Sequence, residues 1–280
     1  MDVFKEIGAF NAWRKGRPPG ESLGFVPTMG ALHAGHIRLV EKSRTANPVT
    51  VVSIFVNPLQ FGPKEDFSRY PRPLEEDLRL CREKGVAAVF SPDVDAFYAP
   101  DHSTYVNVEN LDRHLCGASR PGHFRGVCTV VLKLFNIVRP ARAYFGQKDI
   151  QQALILRKMA RDLSLDLELE IVETVREPSG LALSSRNMYL TPDEKNRAVA
   201  LYRGLRKAQA AWKSGEKSAE ALRSMMRKEI DASAPTRIDY VEAASQSALA
   251  PLDTIAEPAV LAVAAYYGNT RLIDNLLIPG

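Results

Sequence analysis

Cysteine is scarce in this 280-residue chain: only Cys81, Cys116 and Cys128 occur, and none forms a Cys-x-x-Cys pair. An odd, dispersed set argues against a disulfide framework and against a four-thiolate zinc site, and leaves reduced thiols as the expectation. Long apolar runs are also missing. No stretch approaches the ~18 consecutive apolar residues that a membrane-spanning helix needs, and Met1–Glu6 mixes charges without an apolar core. The expectation is therefore a cytoplasmic protein with no membrane partner. A strong excess of one charge is absent as well. The net charge is +4, and Lys and Arg are interleaved with acids, as in Arg79-Leu80-Cys81-Arg82-Glu83-Lys84. This reads as solvated helix faces, with no basic stripe bearing aromatics for nucleic acid.

What is present fits a globular α/β protein: 45% of residues are hydrophobic and 25% charged, close to the usual soluble mix. Leu23–Val26, Val49–Val56, Ala87–Phe90, Ala143–Phe145 and Leu169–Val172 are short β-rich runs separated by helical segments. Continuous apolar strands alternating with helices predict a parallel sheet covered on both faces. Val127, Val130, Val131, Leu134, Phe135 and Val138 fall on one helical stripe that Pro140 closes. Thr191-Pro192-Asp193-Glu194 has the form of a capping box and predicts a long helix toward Trp212, followed by another over about Ser218 to Ile230. Beyond Pro235 the texture turns β-like, with Gly268-Asn269 marking a hairpin between the last two runs. The expected architecture is a Rossmann-like doubly wound domain over residues 1–175 and a smaller α+β domain over 176–280.

Four segments carry polar chemistry at strand ends. The first is Pro27-Thr28-Met29-Gly30-Ala31-Leu32-His33-Ala34-Gly35-His36, with a helix expected from about Ile37. A glycine-containing turn between the first strand and helix of such a sheet is where phosphates dock on free backbone N–H groups and a positive helix end. Imidazoles there can stabilise charge that builds up at phosphorus. The same two histidines could instead cap the helix; a metal pair lacks a third ligand and the Glu of a zincin. The second is Phe145-Gly146-Gln147-Lys148-Asp149-Ile150-Gln151-Gln152. Lys148 can act as a point charge on phosphate and Asp149 as a magnesium or ribose partner, although a Lys-Asp pair at a helix start also serves as a plain surface cap. The third, Gly180-Leu181-Ala182-Leu183-Ser184-Ser185-Arg186-Asn187, offers hydroxyls and a guanidinium to a triphosphate, or is a polar linker. In the fourth, Asn57-Pro58-Leu59-Gln60-Phe61, Gln60 can read a small polar substrate as donor and acceptor, or is ordinary loop surface.

Taken together, these segments resemble the pantothenate synthetase family, pantoate–β-alanine ligases of the His-x-Gly-His nucleotidyltransferase superfamily. The resemblance runs from Phe25 to the C-terminus and includes Ser53–Phe61, Arg120-Pro121-Gly122-His123-Phe124-Arg125-Gly126-Val127 and Thr270-Arg271-Leu272-Ile273-Asp274-Asn275. His-x-Gly-His alone is shared by the whole superfamily; the ordered set is specific. The resemblance implies a Rossmann-like domain with a C-terminal lid, a homodimer, and ATP with Mg2+. It also implies a pantoyl-adenylate that β-alanine then attacks. Residue by residue, it implies that Met29, Gly30, Ala31, Leu32, His33, Ala34, Gly35 and His36 bind ATP, with His36 and His33 catalytic. Gly146, Gln147, Lys148, Asp149, the backbone of Val175, and Leu183, Ser184, Ser185 and Arg186 complete the nucleotide site. Lys148 is also implied as catalytic and Asp149 as the magnesium ligand. Gln60 would touch pantoate and β-alanine, and Gln152 pantoate. Two positions depart from the pattern. Cys116 stands where some members carry Glu, which removes any carboxylate role there, and Ser179 stands where Asp commonly precedes the glycine of the lid loop. An adenylyltransferase acting on a phosphorylated cofactor precursor would share the first turn, but Asn57–Phe61 and the large second domain argue against it.

Overall fold

The computed structural model describes residues 1–63 and 65–279; Gly280, the last residue of the expected C-terminal domain, lies outside them. The chain runs β1 (Asp2–Phe4), α1 (Ile7–Lys15), β2 (Leu23–Thr28), α2 (Ala34–Ala46), β3 (Val49–Ile54), α3 (Leu74–Glu83), β4 (Ala88–Phe90), α4 (Val94–Phe97), α5 (Cys116–Ser119) and α6 (His123–Val138). It continues through β5 (Arg142–Gly146), α7 (Ile150–Asp162), β6 (Glu168–Val172), α8 (Pro192–Ala198), α9 (Ala200–Lys213), α10 (Ala219–Asp231), β7 (Arg237–Ser245), β8 (Ala259–Tyr267) and β9 (Thr270–Ile278). Two compact units divide it. One comprises residues 1–108, 120–146 and 155–173; the other comprises 109–119, 147–154 and 174–280.

The first unit holds a six-stranded parallel sheet in the order β1-β4-β3-β2-β5-β6. β3 is buried at every position, as its unbroken apolar run predicts. Val26, Val52 and Val89 from three adjacent strands pack with Leu39 and Val40 of α2 and Leu78 and Cys81 of α3. The chain leaves β2 toward β3 and β4 on one side and later returns to β5 on the other, so the order reverses between β2 and β5. Crevices outside the carboxyl ends of strands at such a reversal are where open α/β sheets bind ligands. The sequence reading omitted β1 and α1. β1 is a three-residue edge strand, largely exposed, and pairs with β4.

α6 goes beyond the expected stripe. Phe124, Cys128, Thr129 and Ile137 are buried in addition to the predicted positions, so this helix is covered on more than one side. It stops at Val138, and Arg139 takes a left-handed φ of 51° whose N–H returns to Phe135 O at 2.8 Å.

The second unit pairs β7-β8-β9 antiparallel beneath α9 and α10, with Leu201, Leu205, Leu222, Met226, Val241, Leu261, Val263 and Tyr267 in its core. Thr191 and Glu194 form the expected reciprocal cap of α8. The single long helix expected toward Trp212 is instead α8 and α9, separated at Val199, whose backbone stays right-handed. Ser218 caps α10 by accepting the Ala221 N–H, and Gly268 makes the hairpin turn with φ 57°. Among the described residues, no helix is long and apolar enough to cross a membrane.

Candidate active site

In the first unit, β2 ends at Thr28, whose hydroxyl donates to Ser53 O at 2.7 Å and accepts the Gly30 N–H at 3.1 Å. Gly30 and Ala31 then adopt consecutive left-handed conformations, φ 81° and 50°. The buried Asp77 carboxylate accepts the Ala31 N–H at 2.9 Å and the Leu32 N–H at 2.7 Å. Helix α2 starts at Ala34, three residues earlier than the sequence reading placed it, because His33 caps it. His33 Nδ1 accepts the Gly35 N–H at 3.1 Å, and His36 Nδ1 accepts the His33 N–H at 3.3 Å. The two rings lie 4.1 Å apart between centroids.

Two consequences follow. The N–H groups of Gly30, Ala31, Leu32, His33 and Gly35 all have acceptors inside the protein. Thr28 takes the first, Asp77 the next two and the histidine cap the last two. Each imidazole accepts at Nδ1, so in its neutral form it carries its proton on Nε2. Capping and phosphate recognition are thus compatible roles for these two histidines, served by different ring nitrogens.

Gln60 closes a 3-10 turn, Pro58–Gln60, and is buried, unlike ordinary loop glutamine. Its Oε1 accepts from Asn57 Nδ2 at 3.2 Å and its Nε2 donates to Met29 Sδ at 2.8 Å. Asn57, 1% exposed, also donates to Gly126 O at 3.1 Å and accepts from Tyr98 OH at 3.0 Å. The backbone of Gln60 is held separately. His123 Nδ1 lies 2.8 Å from Gln60 O and must be the donor, which leaves its Nε2 to accept from Arg120 at 3.0 Å. Arg120 grips Glu65 with two 2.7 Å hydrogen bonds. Burial alone would raise the Glu65 pKa; the Arg120 hydrogen bonds and charge, with the Gly62 N–H, outweigh it and hold the carboxyl below its ordinary value. Met29, Gly30, Ile54, Phe55, Arg72, Asp77, Ser91 and Asp93 border a cavity of about 170 Å³ at the carboxyl ends of β2, β3 and β4.

In the second unit, residues 147–149 form a 3-10 turn ahead of α7. Asn275 of β9 fixes it, donating to Gln147 O and Lys148 O at 2.9 Å each. Lys148 lies 3.7 Å from the more exposed Asp149 carboxylate. Of the two adjacent glutamines, Gln151 is consumed by the fold: it accepts the Cys116 N–H and donates to Leu111 O and His114 O, all at 2.9 Å. Gln152 is half-buried. The strand-like pair Arg176–Ala182 makes residues 175–183 a narrow loop, with the Val175 carbonyl accepting the Leu183 N–H at 3.0 Å. Gly180, at φ 98°, presses on the Tyr202 ring, where a Cβ would come within 2.8 Å. Ser184 caps the following turn by accepting the Arg186 N–H at 3.3 Å. Cys116, one of the two departures, packs its Sγ 3.3 Å from Tyr240 OH and 3.5 Å from Arg271. Ser179, the other, accepts the Leu181 N–H at 3.4 Å, so the loop is still closed by a side-chain oxygen.

Sequence reasoning did not single out Asn57, Glu65, Asp77, Arg120, His123 or Asn275 as supports of the site. Asn57, Arg120, His123 and Asn275 sit inside the quoted motifs; Glu65 and Asp77 have no local signal, because their partners are tens of residues away.

The family profile described as pantoate–β-alanine ligase matches residues 2–277. The pantothenate synthetase of Pelotomaculum thermopropionicum is 53% identical over 277 residues, covering 99% of this chain and 98% of that protein. That of Moorella thermoacetica is 53% identical over 279 residues, covering 99% of each. Among solved structures, pantothenate synthetase from Thermus thermophilus superposes with a TM-score of 0.94 at 45% identity, over 99% of both chains. Pantoate–β-alanine ligase from Francisella tularensis, complexed with β-γ ATP and β-alanine, superposes with a TM-score of 0.82 at 33% identity, over 99% of this chain and 97% of that one. On the match of its whole length to the profile, to these relatives and to their structures, the chain belongs to the pantoate–β-alanine ligase family.

Proposed function

We propose that this chain condenses pantoate with β-alanine at the expense of ATP, through a pantoyl-adenylate. In the first half-reaction a pantoate carboxylate oxygen attacks the α-phosphorus of ATP, and the bond to the bridging oxygen of pyrophosphate breaks. In the second, the β-alanine amine attacks the acyl carbon of the mixed anhydride, expels AMP and loses a proton, leaving pantothenate. The observation that carries the reading is the state of the two histidines: each Nδ1 is tied to the start of α2, so each neutral ring carries its proton on Nε2. Such donors, already oriented, stabilise the charge that grows on phosphate oxygens without reorganising during the reaction. His36 and His33 take that role, and Met29–His36 line the nucleotide.

Lys148, supported through the Asn275 contacts to its turn, neutralises the departing pyrophosphate as a compact charge. Gly146–Asp149, the Val175 backbone and Leu183–Arg186 are assigned to ATP on the family resemblance. Gln60, an amide held at both ends, reads pantoate and then β-alanine; Gln152 reads pantoate. Neutral amides orient a hydroxy acid without pinning its attacking carboxylate. No group of three or more His, Cys, Asp or Glu side chains forms a metal cage among the described residues. Magnesium is ordinarily held by one or two carboxylates together with substrate phosphates and water. Asp149 would supply the carboxylate, and the ion would offset phosphate charge. By function, residues 1–175 serve as the nucleotide- and pantoate-binding domain and 176–280 as a lid, a division that cuts the chain differently from its compact units. Two further features, a homodimer and a cytoplasmic location, complete the reading.

The test is exchange of labelled pyrophosphate into ATP. It is expected to require pantoate and magnesium but not β-alanine. Exchange seen only with β-alanine present would overturn the two-step scheme.

A further inference from the structure

We propose that Asp77 is a positioning residue for the adenylation step, holding the turn before His33 in a shape its own residues disfavour. Asp77 lies in the first turn of α3 with Glu75 and Glu76, yet those two face solvent while Asp77 is 1% exposed. It does not cap its own helix. Both of its oxygens are spent on the neighbouring turn, Oδ2 on the Ala31 N–H and Oδ1 on the Leu32 N–H, at 2.9 and 2.7 Å. No Lys, Arg or His pairs with it among the described residues. Burial is the main influence on its carboxyl and raises the pKa above its ordinary value; the two N–H groups oppose this without cancelling it.

A buried carboxylate with no cation partner is an expensive choice, and an asparagine of the same shape would avoid the charge. Asparagine, however, has one acceptor oxygen, and its NH2 would face the second N–H. Only an ionised carboxylate accepts both. The turn needs both. Ala31 sits at φ 50°, a left-handed conformation that its Cβ opposes, directly after Gly30 at φ 81°. Glycine is required at position 30, because a Cβ there would lie 2.9 Å from Asp77 Oδ2 and 3.1 Å from Ile54 Cγ2. Leu32 is the last residue before His33. The carboxylate therefore fixes the backbone from which both self-capped imidazoles project, and it removes from the turn two N–H groups that phosphate would otherwise find.

This rests on the role given above to His33 and His36. The test compares Asp77→Asn and Asp77→Ala with the unaltered protein in single-turnover adenylate formation, pantoate titration, thermal melting and 15N spectra of the imidazoles. Asp77→Ala is expected to slow adenylation about 100-fold and Asp77→Asn about 10-fold, reflecting loss of two and of one charge-assisted bond. The pantoate KM should stay within about two-fold of its original value. Asp77→Asn should melt no lower than the parent, since it removes a buried charge and keeps the volume. The parent spectra should show both rings protonated at Nε2 and the variants a mixture of tautomers. Unchanged tautomers together with full activity per folded molecule would overturn the proposal. Adenylation that survives His36→Ala would instead sink the histidine reading, and the tautomer spectra would still report whether Asp77 orders the turn.

Discussion

Replacing Gly126 by alanine isolates the support beneath Gln60. Gly126 lies in the first turns of α6 with its α-carbon against the chain at Leu59. A Cβ added there would stand 2.1 Å from Leu59 O, 2.4 Å from Leu59 C and 2.7 Å from Gln60 N. Ordinary contact begins at about 3.4 Å, and the obstacle is backbone, so the 3-10 turn must retreat by about 1.3 Å or α6 must tilt. Overpacking of this kind costs about 1–3 kcal/mol. The retreat also stretches the hydrogen bonds from Asn57 to Gly126 O and to Gln60 Oε1, now 3.1 and 3.2 Å, at about 1 kcal/mol each. A total of about 3–5 kcal/mol lowers the melting temperature by roughly 6–20 °C for a chain of this size. Because the displaced residue is the proposed pantoate reader, calorimetric titration should show pantoate binding weakened about tenfold or more, with ATP binding to the free enzyme within about two-fold. Gly8→Ala in α1 is the control. Nothing lies within 4 Å of its added Cβ, and alanine suits a helix better by up to about 1 kcal/mol. A Gly126→Ala protein with unchanged melting and unchanged pantoate affinity would refute the reasoning.

Other outcomes are expected on the same grounds. Gln60→Leu keeps the volume but removes both polar ends, and should weaken pantoate by about 5- to 150-fold, the equivalent of about 1–3 kcal/mol; equal weakening of ATP would mean that the residue only supports the pocket. Glu65 has a folded pKa below its ordinary value, so its pairing with Arg120 stabilises the protein above that value and is lost as pH falls through the folded pKa. Melting curves between neutral and acidic pH should therefore fall more steeply for the parent than for Glu65→Gln, and parallel curves would contradict this. Asp274→Ala takes from Arg176 the carboxylate to which it now makes 2.6 and 2.9 Å bonds, and leaves it the Gly180 carbonyl and the Tyr202 ring. The expected loss is about 3–5 kcal/mol, and denaturant unfolding that shows less than about 1 kcal/mol would deny the pair its structural weight.

Much of the fold was readable because its signals are local. The unbroken apolar run of β3, the cap at Thr191 and the Gly268-Asn269 turn each determine their own neighbourhood. β1 was missed because three residues at a sheet edge carry no periodicity, and the early start of α2 because histidine is not a usual cap. The candidate site divides along the same line. The residues proposed to meet ligand lie in contiguous motifs at strand ends. Their supports do not: Asp77 is 45 residues from Leu32 and Arg120 is 55 from Glu65. Only folding brings such pairs together, and a single sequence carries no trace of them. Gly126 is intermediate. A glycine among the apolar positions of a helix hints at a close backbone approach, but nothing in the sequence says to what.

The contacts of Asn275 set an order of events in the making of the protein. The turn that carries Lys148 is held by a side chain 127 residues further along, on the final strand. While the chain is being synthesised, the six-stranded sheet has all its strands once β6 has emerged, and the histidine turn can form with it. The lysine turn cannot acquire its lock until β9 has been made and paired with β8. The contacts that order the histidine turn thus lie early in the chain, while one contact that orders the lysine turn comes from its last strand. A chain cut short before Asn275 would lack the lock on that turn.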